Sequence, residues 1–185
     1  MMSYRIAVLF LACLLAPSVH AASDSFKEGS VLQDGTDTAI AGAVVVVRWQ
    51  DRSLGRQTGC LHTESAVTDA QGRYRVPAWQ TPSEIPGPGA EPVVTVYKQG
   101  FQQSRMHGRN RDTQYLKPSV QERKARLDYL LRINHIIECH AAGDSRKNLL
   151  PLKQALYQEA LEMAVTEEDK KTVDELQASI EATAK

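Results

Sequence analysis

Hydrophobic positions fall into two regimes along the chain. As far as about Pro118 they come in short β-branched or alternating runs broken by Gly, Pro and Asp; beyond it they recur at helical spacing. In the first regime Val31-Leu32 follows Gly29, and Asp34-Gly35-Thr36-Asp37 has turn chemistry. Ala43–Trp49 is too apolar to be an exposed strand. His62–Thr68 and Arg73–Val76 flank Asp69-Ala70-Gln71-Gly72, which predicts a hairpin with Gly72 at positive φ and Pro77 ending its second strand. Pro82, Pro86, Pro88 and Pro92, with Gly87 and Gly89, predict a stiff loop before a strand at Val93–Tyr97, and Asp112–Leu116 gives a last strand. Short strands with no helix between them predict a β-sandwich.

After Pro118 the sequence predicts two to three helices. Ser119-Val120-Gln121-Glu122 reads as a capping box. Leu127, Leu130, Leu131, Asn134, Ile137 and Ala141 then share one face, and Gly143 ends the helix. A second helix spans about 148–165, with Pro151 in its first turn. Thr166-Glu167-Glu168-Asp169 opens a third, with Val173, Leu176 and Ile180 as its stripe and a fraying tail at Ala182–Lys185. The fold class is therefore α+β: an antiparallel β-sandwich over residues 22–117 and a helical appendage over 118–185.

The first 21 residues stand apart from this pattern. Arg5 precedes an apolar run, Ile6–Ala16, and Val19-His20-Ala21 offers small residues at the −3 and −1 positions. This predicts a signal peptide cut before Ala22 and an exported, periplasmic or secreted protein. The run is too short for a membrane span, and no second one follows. Phe10-Leu11-Ala12-Cys13 loosely resembles a lipoprotein box, but the apolar run continues past Cys13, which disfavours lipidation there. Two cysteines then remain, Cys60 and Cys139. In an oxidising compartment they predict one disulfide, whose long loop is worth on the order of 3–5 kcal/mol through the unfolded chain.

Composition narrows the function classes. The chain has 185 residues with 22 Lys+Arg and 22 Asp+Glu, so a dominant nucleic-acid or membrane-surface role is not expected. The neutral total hides three blocks. Residues 22–97 hold six Lys+Arg against nine Asp+Glu, residues 98–132 nine against three, and residues 133–185 six against ten. The basic middle implies either packing against acidic neighbours within the chain or a face for an acidic partner, such as an anionic glycan or lipid head group.

Gly29-Ser30-Val31, Ile40-Ala41-Gly42-Ala43-Val44-Val45-Val46, Val67-Thr68-Asp69-Ala70-Gln71-Gly72-Arg73-Tyr74-Arg75-Val76-Pro77 and Val94-Thr95-Val96-Tyr97-Lys98-Gln99-Gly100-Phe101 follow one another in a recognisable layout. Over about residues 27–117 it resembles the carboxypeptidase regulatory-like domain, a transthyretin-like sandwich also grouped with carbohydrate-binding-like folds. The stretch Gln50–Gly59 is long for that pattern, and Trp79–Pro92 looks inserted. The resemblance implies an accessory binding or structural module without catalysis or cofactor, acting through a protein or glycan partner.

Candidate chemistry is sparse. Trp49 and Trp79 offer aromatic faces for a sugar. Arg105, Arg109 and Arg111, with His107, form a basic loop suited to an anion. His135-Ile136-Ile137-Glu138-Cys139-His140 contains the His-x-x-Glu spacing of zinc carboxypeptidases, but the remainder of such an enzyme has no room in this chain. His135 and Cys139, at i and i+4 of a helix, would suit a metal such as zinc or copper. His140 points elsewhere on that helix, so His62 or His107 would have to converge from the β half, and the candidate set is Cys60, His62, His135, Cys139 and His140. Ligation through Cys139 and a Cys60–Cys139 disulfide exclude one another, and the disulfide is the favoured reading. Cys60 and His62 alternate onto one strand face but form no catalytic dyad by sequence. There is no nucleophile turn and no phosphate-binding glycine loop.

Overall fold

The computed structural model describes residues 26–51, 59–80, 90–104, 112–140 and 142–185. Among them are seven strands: β1 (Phe26–Gln33), β2 (Val44–Asp51), β3 (Gly59–Val67), β4 (Arg73–Pro77), β5 (Ala90–Tyr97), β6 (Phe101–Gln103) and β7 (Thr113–Pro118). Helix α1 (Arg123–Ile136), a 3-10 helix (Gly143–Leu149), α2 (Leu150–Met163) and α3 (Glu167–Ala184) follow. The strands form two sheets, ordered β4-β1-β7-β6 and β3-β2-β5. The architecture is an α+β, sandwich-like stack of three layers, with the three-stranded sheet in the middle. No described helix is long and apolar enough to cross a membrane.

The middle position explains the valine run. Val45, Val47 and Trp49 of β2 pack with Val31, Tyr74, Val76 and Leu116 of the four-stranded sheet. Val46 points the other way, into a core made by Leu127, Leu130, Leu149, Leu152, Leu156 and Leu176 of the helices. A strand buried on both faces cannot alternate polar and apolar residues, and Val44–Val47 does not.

Three local expectations are corrected. The Asp69–Gly72 turn forms, with Gly72 N–H donating to Asp69 O at 2.9 Å and the Asp69 carboxylate accepting from Gln71 and Arg73 N–H. It does not close a hairpin, because β3 pairs with β2 while β4 pairs with β1. Turn chemistry is local and sets the reversal; pairing is decided by the long-range partners, and here the chain crosses between sheets. The sandwich is also not wholly antiparallel: β1 and β7 run parallel, Ser30 opposite Thr113. A parallel pair needs a long return connection, and here everything from β2 to β6 supplies it. Finally, Ser119 does not cap α1. Its N–H donates to Gly100 O at 2.8 Å, continuing the β6–β7 ladder, so the helix begins only after Glu122, which makes no side-chain cap.

Two glycines of the motif have steric reasons. A Cβ at Gly29 would lie 2.4 Å from the Tyr74 hydroxyl oxygen, so the tyrosine of the turn motif closes directly over β1. Gly72 has φ +71°, and its Cβ would meet Val31 O at 2.6 Å.

The working capping box is at α3. Thr166 Oγ1 accepts from Asp169 N–H at 3.2 Å, and the Asp169 carboxylate accepts from Thr166 and Val165 N–H at 2.9 and 3.0 Å. Arg123 adds an ion pair at 2.9 Å. The Thr166 N–H bond, then that of Val165, holds the Asp169 carboxyl below the usual range. A depressed native pKa gives stability that is fully present above the unfolded value, about 4, and lost as pH falls through the lower native value. Asp169→Asn should therefore flatten the loss of stability below about pH 4 in urea titrations. Where the sequence predicts a fraying tail, α3 is helical to Ala184, and Thr183 is buried and donates to Ser179 O at 2.8 Å.

Candidate functional site

Three of the predicted residues converge at one end of the sandwich. Trp49 lies on β2, His62 opposite it on β3, and Trp79 just beyond β4. The His62 and Trp79 rings stack with centroids 5.3 Å apart and planes 6° from parallel. Trp49 meets both at a tilt, 5.5 Å from His62 and 6.4 Å from Trp79. His62 Nε2 lies 2.9 Å from Glu64 Oε1, and the other Glu64 oxygen accepts from Asn148 Nδ2 at 3.3 Å. Trp49 is only 4% exposed, so it is a core residue of the sandwich. Trp79 is half-buried, with one face against His62. The two indoles do not form one flat surface.

Cys60 and His62 do not share a face. The β2–β3 register shifts between Trp49 and Gln50, so His62 pairs with Trp49 but Cys60 pairs with Gln50. This bulge skips Leu61 and reverses the alternation, turning His62 towards the four-stranded sheet and Cys60 towards the helices. Cys60 there meets Cys139 as a disulfide, with Cα atoms 5.1 Å apart. Cys139 is not on α1, which ends at Ile136, so His135 and Cys139 are not successive turns of one helix. His135 is exposed and pairs with Glu175 at 3.1 Å, and His140 is exposed. Among the described residues no three His, Cys, Asp or Glu side chains gather as metal ligands. The signal segment, the loop 52–58, most of the proline loop (81–89), and Arg105, His107, Arg109 and Arg111 lie outside the described residues.

The sequence reading missed the polar clusters that join helices to sheets and to one another. Arg126, 2% exposed, makes a bidentate pair with Glu159 through Nε and Nη2, both 2.9 Å, and Nη1 donates to Phe101 O at 2.6 Å. The Tyr97 hydroxyl donates to Glu159; burial first, then that bond, raises its pKa far above the usual tyrosine range. Lys153, 1% exposed, donates to Glu138 at 2.5 Å and to Ser179 Oγ at 2.6 Å. Serine beside lysine can be a nucleophile with its base, but Lys153 is engaged by a carboxylate and Ser179 Oγ sits 3.0 Å from Asn134 Oδ1. Along β3 the 3-10 helix covers the free edge: Thr63 N–H donates to Ser145 Oγ at 3.1 Å, and Thr63 O accepts from Asn148 at 2.7 Å. In sequence these residues resemble ordinary solvated helix positions.

Comparison with known proteins adds no relative. No family model matches the chain, and no curated protein or solved structure is significantly similar to it.

Proposed function

We propose that the chain is an exported, non-catalytic binding or structural module whose first half is of the carboxypeptidase regulatory-like, transthyretin-like type. It acts through contacts with a protein or glycan partner. The observation that carries this reading is the Cys60–Cys139 bridge, which ties β3 to the segment after α1. Such bridges belong to oxidising compartments, which agrees with a leader over residues 1–21. The buried polar clusters also support it, because Arg126 and Glu159 are spent holding helices to sheets, and Lys153 and Glu138 holding the helical segments to one another.

A glycan reading has its own support in Trp79, whose ring is held by the His62 stack near a sheet end. Stacking on sugar C–H groups would then use Trp79 alone, with Trp49 as its buried backing.

The test uses the protein purified from the export compartment. It should begin at Ala22, carry no adduct, weigh about two mass units less than its reduced form, and retain one specific partner after cross-linking. Peptide hydrolysis that co-purifies and disappears in His135→Ala would overturn the non-catalytic reading.

A further inference from the structure

The basic segment 98–132 carries nine Lys and Arg, and the fold shows where most of those charges go. Arg123, Lys124 and Arg126 pair with Asp169, Glu168 and Glu159 of the following helices. Lys98 reaches Gly42 O at 3.4 Å. Arg105, Arg109 and Arg111 lie outside the described residues. That leaves Lys117 and Arg132, both exposed, neither in an ion pair among the described residues, and both on the wall of one cleft of about 580 Å³.

The cleft lies where α1 crosses the β6–β7 edge. The Tyr129 hydroxyl accepts from Gln103 N–H at 3.1 Å, and Arg126 binds Phe101 O, so α1 is fixed to β6 at two points beside the cleft. The Arg132 guanidinium carbon lies 5.5 Å from the centre of the Tyr129 ring, which limits where that side chain can go. Gln102 and Gln121 bring amides that donate and accept. Asp34, bonded to Ser104 Oγ at 2.5 Å, brings an acceptor.

We propose that this cleft binds a saccharide bearing a carboxylate, such as a hexuronate unit. Lys117 and Arg132 take the carboxylate, the glutamines take hydroxyls in either sense, and Asp34 accepts a hydroxyl proton. Asp34, an acceptor, favours a ligand that carries hydroxyls beside its anionic group over inorganic phosphate. The volume suits a small ligand. Gln121, Tyr129 and Arg132 lie outside the segment that resembles a known domain, so the site belongs to the junction with the helices. The inference rests on the reading of the chain as a binding module and names its ligand class.

Calorimetric titration of the full chain with a galacturonate trimer tests it, alongside the neutral galactose trimer and inorganic phosphate. The uronate should bind, Lys117→Gln and Arg132→Gln should each weaken it about tenfold with unchanged melting, and added salt should weaken it further. Lys170→Gln, on α3, should leave binding intact. Three outcomes overturn the proposal: equal binding of the neutral trimer, displacement of the uronate by equimolar phosphate, or affinity indifferent to both cleft variants. Absence of uronate binding, with a protein still cross-linked in the export compartment, overturns it too and leaves the module reading standing.

Discussion

Replacing Cys60 and Cys139 together by serine should lower the melting temperature by roughly 10–15 °C at this chain length. The two cysteines are 79 positions apart. Cross-linking a loop of that size removes enough freedom from the unfolded chain to favour the native state by about 4–5 kcal/mol. The native surroundings add to the effect. Cys139 is 1% exposed and sits with Val46, Leu130 and Leu149 in the core between sheet and helices. A serine hydroxyl at position 139 would need a partner that this apolar core does not supply. Thermal melts of the oxidised, reduced and double-serine proteins check this. Coincident melts, or native protein in which both cysteines react with iodoacetamide, would remove the bridge from the account.

The second large effect belongs to Arg126 and Glu159. Arg126→Met alone strands the Glu159 carboxylate beside the Tyr97 hydroxyl, and Glu159→Leu alone strands a guanidinium that is almost fully buried. Removing one member of such a pair costs about 3–5 kcal/mol, because an unpartnered charge remains out of water. The double variant Arg126→Met/Glu159→Leu should lie much nearer wild type, since burying the pair has its own desolvation cost. Urea unfolding of the four proteins closes the cycle. Single variants within about 0.5 kcal/mol of wild type would mean that water reaches the pair.

Both effects bear on what could be read in the sequence. The disulfide was legible because two cysteines in a chain with an apparent leader leave one pairing. The double burial of β2 was legible because four consecutive valines suit no half-exposed strand. The ion pair was not. Arg126 and Glu159 sit on different helices 33 positions apart, and each looks like a solvated helix charge until the layers meet. The bulge was equally hidden: nothing near Leu61 announces that the register against β2 skips there, yet that skip separates Cys60 from His62. Ser119–Glu122 and Thr166–Asp169 carry similar capping patterns, and only the second caps, because Ser119 continues the β6–β7 ladder through its N–H bond to Gly100 O and α1 begins only at Arg123. Of the two tryptophans, spacing could not say which would be core. The cleft at Lys117 and Arg132 left a trace in the sequence, the surplus of positive charge over residues 98–132, but its location depended on which charges the helices consumed.

The parallel pairing of β1 with β7 also sets an order of events in time. β1 leaves the ribosome early, yet its neighbour Thr113–Gln114–Tyr115–Leu116 is made more than 80 residues later. Until then β1 has only β4 beside it, and the four-stranded sheet lacks its middle. Contacts of such long sequence separation make folding slow, because the intervening chain must be ordered before they form. On the export proposed above, that delay would keep the polypeptide extended for threading through a membrane pore. The same delay means that a nascent or truncated product ending before Thr113 exposes an unfinished sheet that neighbouring copies can join.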